Sequence, residues 1–538
     1  MVRLQDKFLL RGLVGFSTAF IFIITNALAA TAQMSVTTYH YDNNRTGWNQ
    51  AETKLTPASV GSTKFGLLRT VTLDDQVDAQ PLMVPGITIT AGSHQGTHDV
   101  VYVVTENDTV YAIDANQDTV LLTQSLGKPV SNPLGCNNNA PNVGITSTPV
   151  IDASASTLYV VAYTQDSSGP AYRIHALDLG SLTDKVTAQV VTGSHTLTNG
   201  TKFTFNATYQ RQRPALLLAN GNIYAGFGSF CDFATNVSRG WLLGWNAATL
   251  APLSANQLLD TQATSPNSFF LSSIWMSGYG PAADDSGNVV FVTGNSDPSG
   301  TTYDGVTNIQ ESVVKVSPDL TTVLSLFTPM NQAHLDEVDG DFGAGGVLVL
   351  PDQPGSTPHL AVAAGKAGAM FLMNEDNLGG YSTTKNNVLG IYSVGDCWCG
   401  QSYYVDPTDG AARVVSSGGK QVRVWKLQTS TTPALTHVTN STAITNGQFG
   451  GFFTSISSNG TASPIIWALG RPASQSADTI YLYAFNPDAG GSTMTQLFHG
   501  AAGSWPNFFG DSNLVPVVAN GKVYVGSNKS LKIFGLKP

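Results

Sequence analysis

The segment VVYVVTENDTVYAIDANQDTVLLTQSL, from Val100 to Leu126, contains three runs of β-forming residues separated by Asn-Asp and Asn-Gln turns. Val, Tyr, Ile and Thr dominate the runs, and polar residues stand at the turns, a pattern typical of short antiparallel strands joined by hairpins. A fourth run lies just before them, from Gln80 to Ile89. The segment therefore predicts one four-stranded antiparallel sheet.

The same unit recurs along the chain at intervals of about 40 to 50 residues. Further copies lie at Thr146–Leu179 and Arg213–Leu253, and others begin at Gly278, Gly343, Gly400 and Gly450. Four-stranded units at this spacing are the signature of a β-propeller, in which each sheet is a blade packed on its neighbours around a central channel. The alternative is a pair of β-sandwiches, but no linker-like change in composition divides the chain.

The end of the chain predicts how the ring closes. Seven complete units leave the segment Leu514–Leu536, which supplies three strands, and the missing fourth is FGLLRTVTL at Phe65–Leu73. An N-terminal strand that completes the last sheet would close the ring without exposing long strand edges. The predicted fold is all-β: an eight-bladed β-propeller of four-stranded antiparallel blades, with the last blade closed by an N-terminal strand.

The N-terminus has the pattern of a signal peptide. Basic residues precede an apolar run from Leu13 to Ile24, and the small-residue sequences Ala-Leu-Ala and Ala-Thr-Ala follow it. We therefore predict a signal peptide at residues 1–32 and one propeller domain at residues 33–538, in a secreted or periplasmic protein. The alternative is an uncleaved anchor, although the run is shorter than the roughly 20 residues that a membrane span needs.

Composition narrows the classes of partner. The chain has 26 Lys and Arg against 36 Asp and Glu, for a net charge of −10, and it contains no basic run. This argues against nucleic acids and anionic membranes as partners and leaves small neutral or cationic ligands open. In an oxidising compartment the four cysteines would form disulfides, but four cysteines allow three pairings and the sequence does not choose among them.

Common catalytic motifs are absent from the sequence. There is no nucleophile elbow, zinc-protease motif, phosphate-binding loop or C-x-x-C-H haem attachment. His94 and His98 have the spacing of a helical metal pair but lie in a Gly-rich segment, which favours a solvated loop. LDEVDGDFGAGG, from Leu335 to Gly346, is rich in oxygen ligands but lacks the EF-hand order. We interpret it as a loop between blades, with ion binding as the alternative.

Two stretches carry a family resemblance: TTYHYDNNRTGWNQAETKLTPASVGSTKFGLL near the N-terminus, and SSIWMSGYGPAADDSGNVVFVTGNSDPSG from Ser272 to Gly300. They are similar to segments of the quinoprotein dehydrogenases, propeller enzymes that hold pyrroloquinoline quinone and calcium in the central channel, and the resemblance runs through nearly the whole mature chain. It implies that Trp275 lies under the quinone and that Asn295 binds calcium. An indole face suits a planar cofactor, and an amide oxygen is a hard ligand.

The resemblance implies the remaining site residues. These are Asp232 in GFGSFCDF as a second calcium ligand, Glu311 as the catalytic base, Lys366 in AAGKAGAMFLMN as the cation that contacts the quinone, and Asp78 and Gln401 as polar residues near the cofactor. The base would take a proton from a substrate hydroxyl while hydride moves to the quinone and calcium polarises the quinone carbonyl.

Three features depart from the family pattern. Cys136 is followed by Asn137 where the family has two adjacent cysteines, the family's Trp-docking repeat is missing, and two carboxylates, Asp232 and Glu311, are exchanged for their homologues. We predict a secreted protein that oxidises an alcohol or sugar hydroxyl, takes a small-molecule substrate and passes electrons to a separate acceptor. The alternative is a non-catalytic propeller that binds a protein or a polysaccharide, because one fold hosts both roles.

Overall fold

The computed structural model describes residues 33–138, 141–264, 268–487 and 491–538. Residues 34–538 form one compact unit. The predicted signal peptide lies outside the described residues. Within them, no helix is both long enough and apolar enough to cross a membrane.

Eight small antiparallel sheets form the blades, which confirms the predicted eight-bladed propeller. In order from the inner strand outward, blade 1 contains Leu82–Ile89, Gly96–Val104, Thr109–Asp114 and Val120–Ser125; blade 2 contains Val150–Asp152, Thr157–Asp166, Gly169–Asp178 and Asp184–Val190; blade 3 contains Gln210–Gln212 with Leu217–Ala219, then Asn222–Ser229, Trp241–Asn246 and Gln257–Leu258; blade 4 contains Ala282–Ala283, Val289–Val292, Val313–Val316 and Val323–Phe327. Blade 5 contains Val347–Val349, Leu360–Ala364, Ala369–Asn374 and Gly390–Ser393; blade 6 contains Ser402–Val405, Ala412–Ser416, Arg423–Gln428 and Ala434–Asn440; blade 7 contains Thr454–Asn459, Ala462–Gly470, Thr479–Asn486 and Thr495–Ser504.

Blade 8 joins the two ends of the described chain, as predicted. It contains Val517–Ala519, Lys522–Leu536 and the N-terminal strand Phe65–Gln76, which pairs antiparallel with Lys522–Leu536. The stretch Lys522–Leu536 folds back on itself near Lys529, whose φ is 52°. As a result, a Cβ on Gly535 would lie 3.1 Å from the carbonyl oxygen of Gly521.

The other elements are short. Two-stranded ribbons pair Val130–Ser131 with Asn142–Val143 and Ser194–Thr196 with Lys202–Thr204, and Trp48–Asn49 pairs parallel with Thr454–Asn459. The helices are Pro57–Val60 and Gln332–Glu337, with 3-10 turns at Pro133–Gly135, Met276–Gly278 and Phe342–Ala344.

The hydrophobic core lies between neighbouring blades. Alternate residues of one strand point to opposite faces of its sheet. In blade 1, Val100, Tyr102 and Val104 therefore pack with residues of blade 2, whereas Val101 and Val103 pack with residues of blade 8. Because both faces of each sheet are covered, the central strands read as continuous apolar runs rather than as alternating ones.

A segment at the N-terminus, residues 36–52, occupies the channel; we call it the axial segment. It contacts all eight blades through hydrogen bonds: Val36 N with Met83 O, Thr37 O with Ile151 N, Arg45 Nη2 with Leu216 O, Asn43 O with Ala283 N, Asn44 O with Val349 N, Thr46 O with Tyr403 N, Gly47 O with Ile456 N, and Tyr41 Oη with Val518 N. Each partner lies in or beside the first strand of its blade. The first strand of every blade therefore faces the channel.

Arg45 is the most extensively bonded side chain of the axial segment. It is fully buried and donates from Nε to Pro281 O, from Nη1 to Thr38 Oγ1 and Tyr39 O, and from Nη2 to Leu216 O, at 2.7 to 3.1 Å. These bonds join the segment to blades 3 and 4 and fix its own turn.

One buried carboxylate in blade 1 gives the fold a predicted pH dependence. Asp108 is fully buried, and neither of its carboxylate oxygens has a hydrogen-bond partner within the described ranges. Burial raises the pKa of Asp108 from 3.8 to about 8. Because the folded state then holds a proton that the unfolded chain releases above pH 4, the free energy of unfolding falls as pH rises from about 4 to 8.

Asp108→Asn should therefore raise the free energy of unfolding at pH 8 by on the order of a few kcal/mol, and with it the urea midpoint, and should change both little at pH 4. Urea titrations at both pH values test this. Asp118→Asn is the control because Asp118 is 57% exposed, and it should shift neither midpoint. Equal effects of Asp108→Asn at the two pH values would contradict the explanation.

Candidate functional site

A cavity of about 260 Å³ opens at one end of the channel. Its position follows from the blade topology: the second strands of blades 3, 4 and 5 end at this level, and each is followed by a candidate residue, namely Asp232, Asn295 and Lys366. The loop between blades 4 and 5 reaches the same end. The residues that line the cavity are Asn138, Arg211, Arg213, Ser229, Cys231, Asp232, Trp275, Asp339, Asp341, Lys366 and Trp398.

The acidic side of the cavity centres on Asp341. Its Oδ1 accepts a hydrogen bond of 2.7 Å from the backbone N–H of Asn295, and its Oδ2 lies 2.7 Å from Lys366 Nζ. Asp339 accepts from Asn295 Nδ2 at 3.0 Å and from Lys366 Nζ at 3.1 Å. A single ammonium group is thus shared by two carboxylates. Burial lowers the pKa of Lys366, but the charges of Asp341 and Asp339 raise it more, so the pKa is raised overall.

Asp232 approaches the same carboxylates from blade 3. Burial first, and the charge of Asp341 second, raise its pKa from 3.8 to about 6, while a hydrogen bond from Ser229 Oγ opposes the rise. Both Cys231 and Asp232 have left-handed backbone conformations, with φ of 51° and 54°. This conformation is unfavourable for residues other than glycine, so the loop requires an external restraint.

The restraint is a disulfide. Cys231 is bonded to Cys136, which lies 95 residues earlier in the loop between blades 1 and 2, and the other disulfide joins Cys397 to Cys399. The Cys136–Cys231 bond therefore fastens the loop that carries Asp232 to a second loop at the same end of the channel.

The two disulfides should differ in their effect on stability because a cross-link restricts the unfolded chain more when it closes a longer loop. Cys136→Ser with Cys231→Ser should lower the free energy of unfolding by about 2–5 kcal/mol, and Cys397→Ser with Cys399→Ser by about 1–2 kcal/mol. Urea unfolding of the two double variants tests the difference. A larger loss in the second variant would contradict it.

Two indoles form the aromatic wall of the cavity. The rings of Trp275 and Trp398 meet edge to face with centroids 5.2 Å apart, and Trp398 stacks on Phe449 at 4.4 Å. Lys366 Nζ lies 4.7 Å from the Trp398 ring centre and 5.6 Å from that of Trp275. Gly294 permits the close approach, since a Cβ there would lie 2.9 Å from Trp275 Nε1 and 2.5 Å from Asp341 Oδ1.

The structure brings together four of the seven residues predicted from the sequence. Trp275, Lys366 and Asp232 line the cavity, and Asn295 bonds to two of the lining carboxylates. Glu311 lies behind Asp341, fully buried, where its Oε2 accepts a hydrogen bond from Phe342 N. Its role as catalytic base stays a prediction.

The other two predicted residues lie outside the cavity lining. Asp78 accepts a hydrogen bond from Gln76 Nε2 at 2.7 Å, and Gln401 is fully buried beside the sulfur of Cys397, 3.7 Å from its Nε2. Among the cavity residues that the sequence reasoning missed are Arg211, Arg213, Asp339, Asp341 and Trp398. The acidic run from Leu335 to Gly346 was the signal for two of them.

The donor atoms around the cavity decide whether a hard cation fits there. Across the described ranges, no three His, Cys, Asp or Glu side chains are gathered closely enough to hold a metal ion. Nevertheless, Asp232, Asp339 and Asp341 line the cavity with carboxylate oxygens, and Asn295, bonded to two of them, adds an amide. Carboxylate and amide oxygens are ligands that calcium prefers. Glu311 interacts electrostatically with Asp341, and its Oε1 has no hydrogen-bond partner among the described residues. The chemistry of the donors fits a hard cation.

Comparison with known proteins bears on the fold. No protein-family model matches the chain, and no curated protein matches it in sequence. Among solved structures, a europium-containing methanol dehydrogenase matches 93% of this chain and 98% of its own, with a TM-score of 0.60 and 11% identity. The chain has the propeller fold of a quinoprotein dehydrogenase. The quinohemoprotein alcohol dehydrogenase ADHIIG from Pseudomonas putida HK5 shares this quinoprotein fold, over 93% of this chain and 80% of its own, with a TM-score of 0.55 and 12% identity.

Proposed function

We propose that the protein is a quinoprotein-like oxidoreductase that oxidises an alcohol or sugar hydroxyl with pyrroloquinoline quinone and a hard cation. The observation that carries the proposal is the placement of Trp275, Lys366 and three carboxylates around one cavity at the end of the channel, with Asn295 bonded to two of these carboxylates. A similar fold alone would not support a reaction, because propellers host many functions.

Each residue has a role that its surroundings support. Trp275 would bind the planar ring of the quinone, and Asp232, Asn295 and Asp341 would hold the cation. Pyrroloquinoline quinone, when bound, supplies an acceptor for hydride from the substrate carbon. Asp339 is better placed than Glu311 to take the hydroxyl proton, because its side chain is 65% exposed and lines the cavity.

The pKa of Asp339 supports this assignment. Partial burial of the carboxylate and the charge of Asp341 raise it above 3.8, which moves the group toward the range in which a carboxylate accepts a proton effectively. Lys366 opposes the rise and orients the carboxylate. The sequence carries no C-x-x-C-H motif, so electrons would pass to a separate acceptor. We place the protein outside the cytoplasm on the basis of the predicted signal peptide.

The decisive experiment is a titration of the purified protein with pyrroloquinoline quinone, with and without calcium, followed by tryptophan fluorescence. Saturable, calcium-dependent quenching that is lost in Trp275→Ala and Asn295→Ala would support the proposal. Asn288→Ala is the matched control, because Asn288 lies at the opposite end of the strand Val289–Val292 from Asn295. This variant should bind the quinone as the wild-type protein does. No binding at about tens of micromolar quinone would reject it in favour of a non-catalytic propeller that binds a protein or a polysaccharide.

A further inference from the structure

Arg471 is a buried arginine beside the cavity. It directly follows the second strand of blade 7, Ala462–Gly470, so it lies at the cavity end of the channel. Its side chain is fully buried and reaches the cavity lining through Trp398. Nη2 donates to Trp398 O and to Asn513 Oδ1, each at 2.8 Å, and Nη1 lies 3.1 Å from Asp511 Oδ1. The guanidinium group thus joins the loop between blades 5 and 6 to the loop between blades 7 and 8.

An arginine in this position needs an explanation other than packing. Burial lowers the pKa of Arg471, and the charge of Asp511 opposes the shift. Buried ion pairs can often be replaced by apolar residues of similar volume without loss of stability, so the pair alone does not account for Arg471. A guanidinium group supplies donors in fixed directions within one plane, which an apolar residue does not. These bonds therefore indicate a positional role.

The residue that Arg471 holds is fixed through its backbone on both sides. The N–H of Trp398 donates to Gly450 O at 2.9 Å, and its carbonyl accepts the bond from Arg471. Its neighbours Cys397 and Cys399 are joined by a disulfide, so Trp398 is the middle residue of a closed three-residue loop. The bonds to the backbone set the point from which the indole projects into the cavity lining.

The indoles of Trp398 and Trp275 bound the same part of the cavity. Their planes are inclined by 69° and their centroids are 5.2 Å apart. The ring of Trp398 also stacks on Phe449, with 7° between the two planes. Two steeply inclined rings restrict a flat ligand more than a single ring does, because one supports its face while the other limits its edge. A displacement of Trp398 should therefore weaken the binding of a flat ligand that stacks on Trp275.

We infer that Arg471 is a positioning residue of the cavity. It holds the carbonyl of Trp398 and thereby the indole that, together with Trp275, fixes the plane and the lateral position of a flat aromatic ligand. Arg471 itself does not touch that ligand. In taking the ligand to be the quinone, the inference rests on the proposed function, whereas the effect of Arg471 on Trp398 is measurable without any ligand.

The first measurement is circular dichroism of the protein alone. Indoles with centroids 5.2 Å apart couple their electronic transitions, so the wild-type protein should show an exciton couplet that both Trp275→Ala and Trp398→Ala remove. Arg471→Gln should weaken this couplet. Arg471→Lys should weaken it less, because lysine keeps the charge and one donor but loses the planar fork.

Arg413→Gln is the matched control. Arg413 is also a buried arginine paired with an aspartate, with Nη2 2.7 Å from Asp406 Oδ2. It lies at the start of the second strand of blade 6, Ala412–Ser416, whereas Arg471 follows the end of the corresponding strand of blade 7. The two arginines therefore lie at opposite ends of the propeller. Arg413→Gln should leave the couplet unchanged even if it lowers the melting temperature, because effects at distant sites are independent.

The second measurement is the dissociation constant of pyroloquinoline quinone, by calorimetry in the presence of calcium. We expect it to rise about tenfold in Trp398→Ala and about three- to tenfold in Arg471→Gln. Arg413→Gln should stay within about twofold of wild type. The double variant Arg471→Gln with Trp398→Ala should bind within about twofold of Trp398→Ala alone, because Arg471 acts through the indole and a general structural effect would add to the loss.

Thermal melts identify any variant that fails to fold. If Arg471→Gln is such a variant, Asn513→Ala replaces it, because it removes one acceptor of the guanidinium group and keeps the arginine. The inference fails if the couplet of the arginine variant equals that of wild type, or if the variant weakens quinone binding equally with and without Trp398; the proposed function then stands. If wild type does not bind the quinone, the proposed function fails. In that case a weakened couplet upholds the positioning role, and an unchanged couplet rejects it as well.

Discussion

Arg45→Ala should destabilise the propeller by at least about 4 kcal/mol. The substitution removes donors from the buried carbonyls of Tyr39, Pro281 and Leu216 and leaves a void in the channel. Buried acceptors without partners and a cavity of this size are both strongly unfavourable. The expected result is a large fall in the urea midpoint, or the absence of folded protein at 37 °C, measured by circular dichroism and tryptophan fluorescence.

The control is Arg69→Ala, because the exposed pair of Arg69 with Asp118, at 3.6 Å, contributes little to stability. It should change the free energy of unfolding by less than about 0.5 kcal/mol. If Arg45→Ala and Arg69→Ala had similar midpoints, the axial segment would not be a structural part of the ring, and its contacts with the blades would need another explanation.

Asp341→Ala should reduce the affinity of the cavity for a hard cation more than any other single substitution. Asp341 joins Asn295 to Lys366, so its removal takes away a proposed cation ligand and releases both neighbours. We expect the affinity for a hard cation to fall on the order of 100-fold. Terbium is a suitable probe, because the nearby indoles of Trp275 and Trp398 can sensitise its luminescence, and calcium-dependent quenching by the quinone gives an independent measurement.

Asp285→Ala provides the matched comparison. Asp285 follows the inner strand of blade 4, at the end of the blade away from the cavity, and it is exposed. Its removal changes the net charge equally and should leave terbium affinity within about twofold of wild type. Unchanged terbium luminescence in Asp341→Ala would remove Asp341 from the proposed ligand set.

The blades were predictable because their signal is local. In Val100–Leu126, β-forming runs and turn residues determine strands and hairpins that contact one another in sequence order. The closing strand at Phe65–Leu73 was also predictable, because three terminal strands lack a fourth. By contrast, the axial segment depends on single hydrogen bonds between distant residues, such as Tyr41 and Val518, 477 residues apart. No periodicity in the sequence encodes such bonds.

Some residues of the candidate site could likewise be predicted from the sequence, whereas others could not. Asp232, Asn295 and Lys366 follow the second strands of successive blades, where a resemblance to a family can locate them. Trp275 lies between blades 3 and 4, and the motif around it provides the match. Asp339 and Asp341 lie in a loop between blades, and carboxylates in such loops are usually solvated. Only the three-dimensional contact of Asp341 with Asn295 and Lys366 distinguishes it from a surface residue.

The axial segment also constrains the order of folding. During synthesis residues 36–52 emerge before every blade, yet their bonding partners extend to Val518 in blade 8. The segment therefore has no complete set of partners until the last blade exists, and contacts over such separations form slowly. A ring with a missing or misplaced blade would leave backbone groups of the segment unbonded. The segment thus acts as a built-in check on assembly, because it is fully satisfied only when the entire chain is in place.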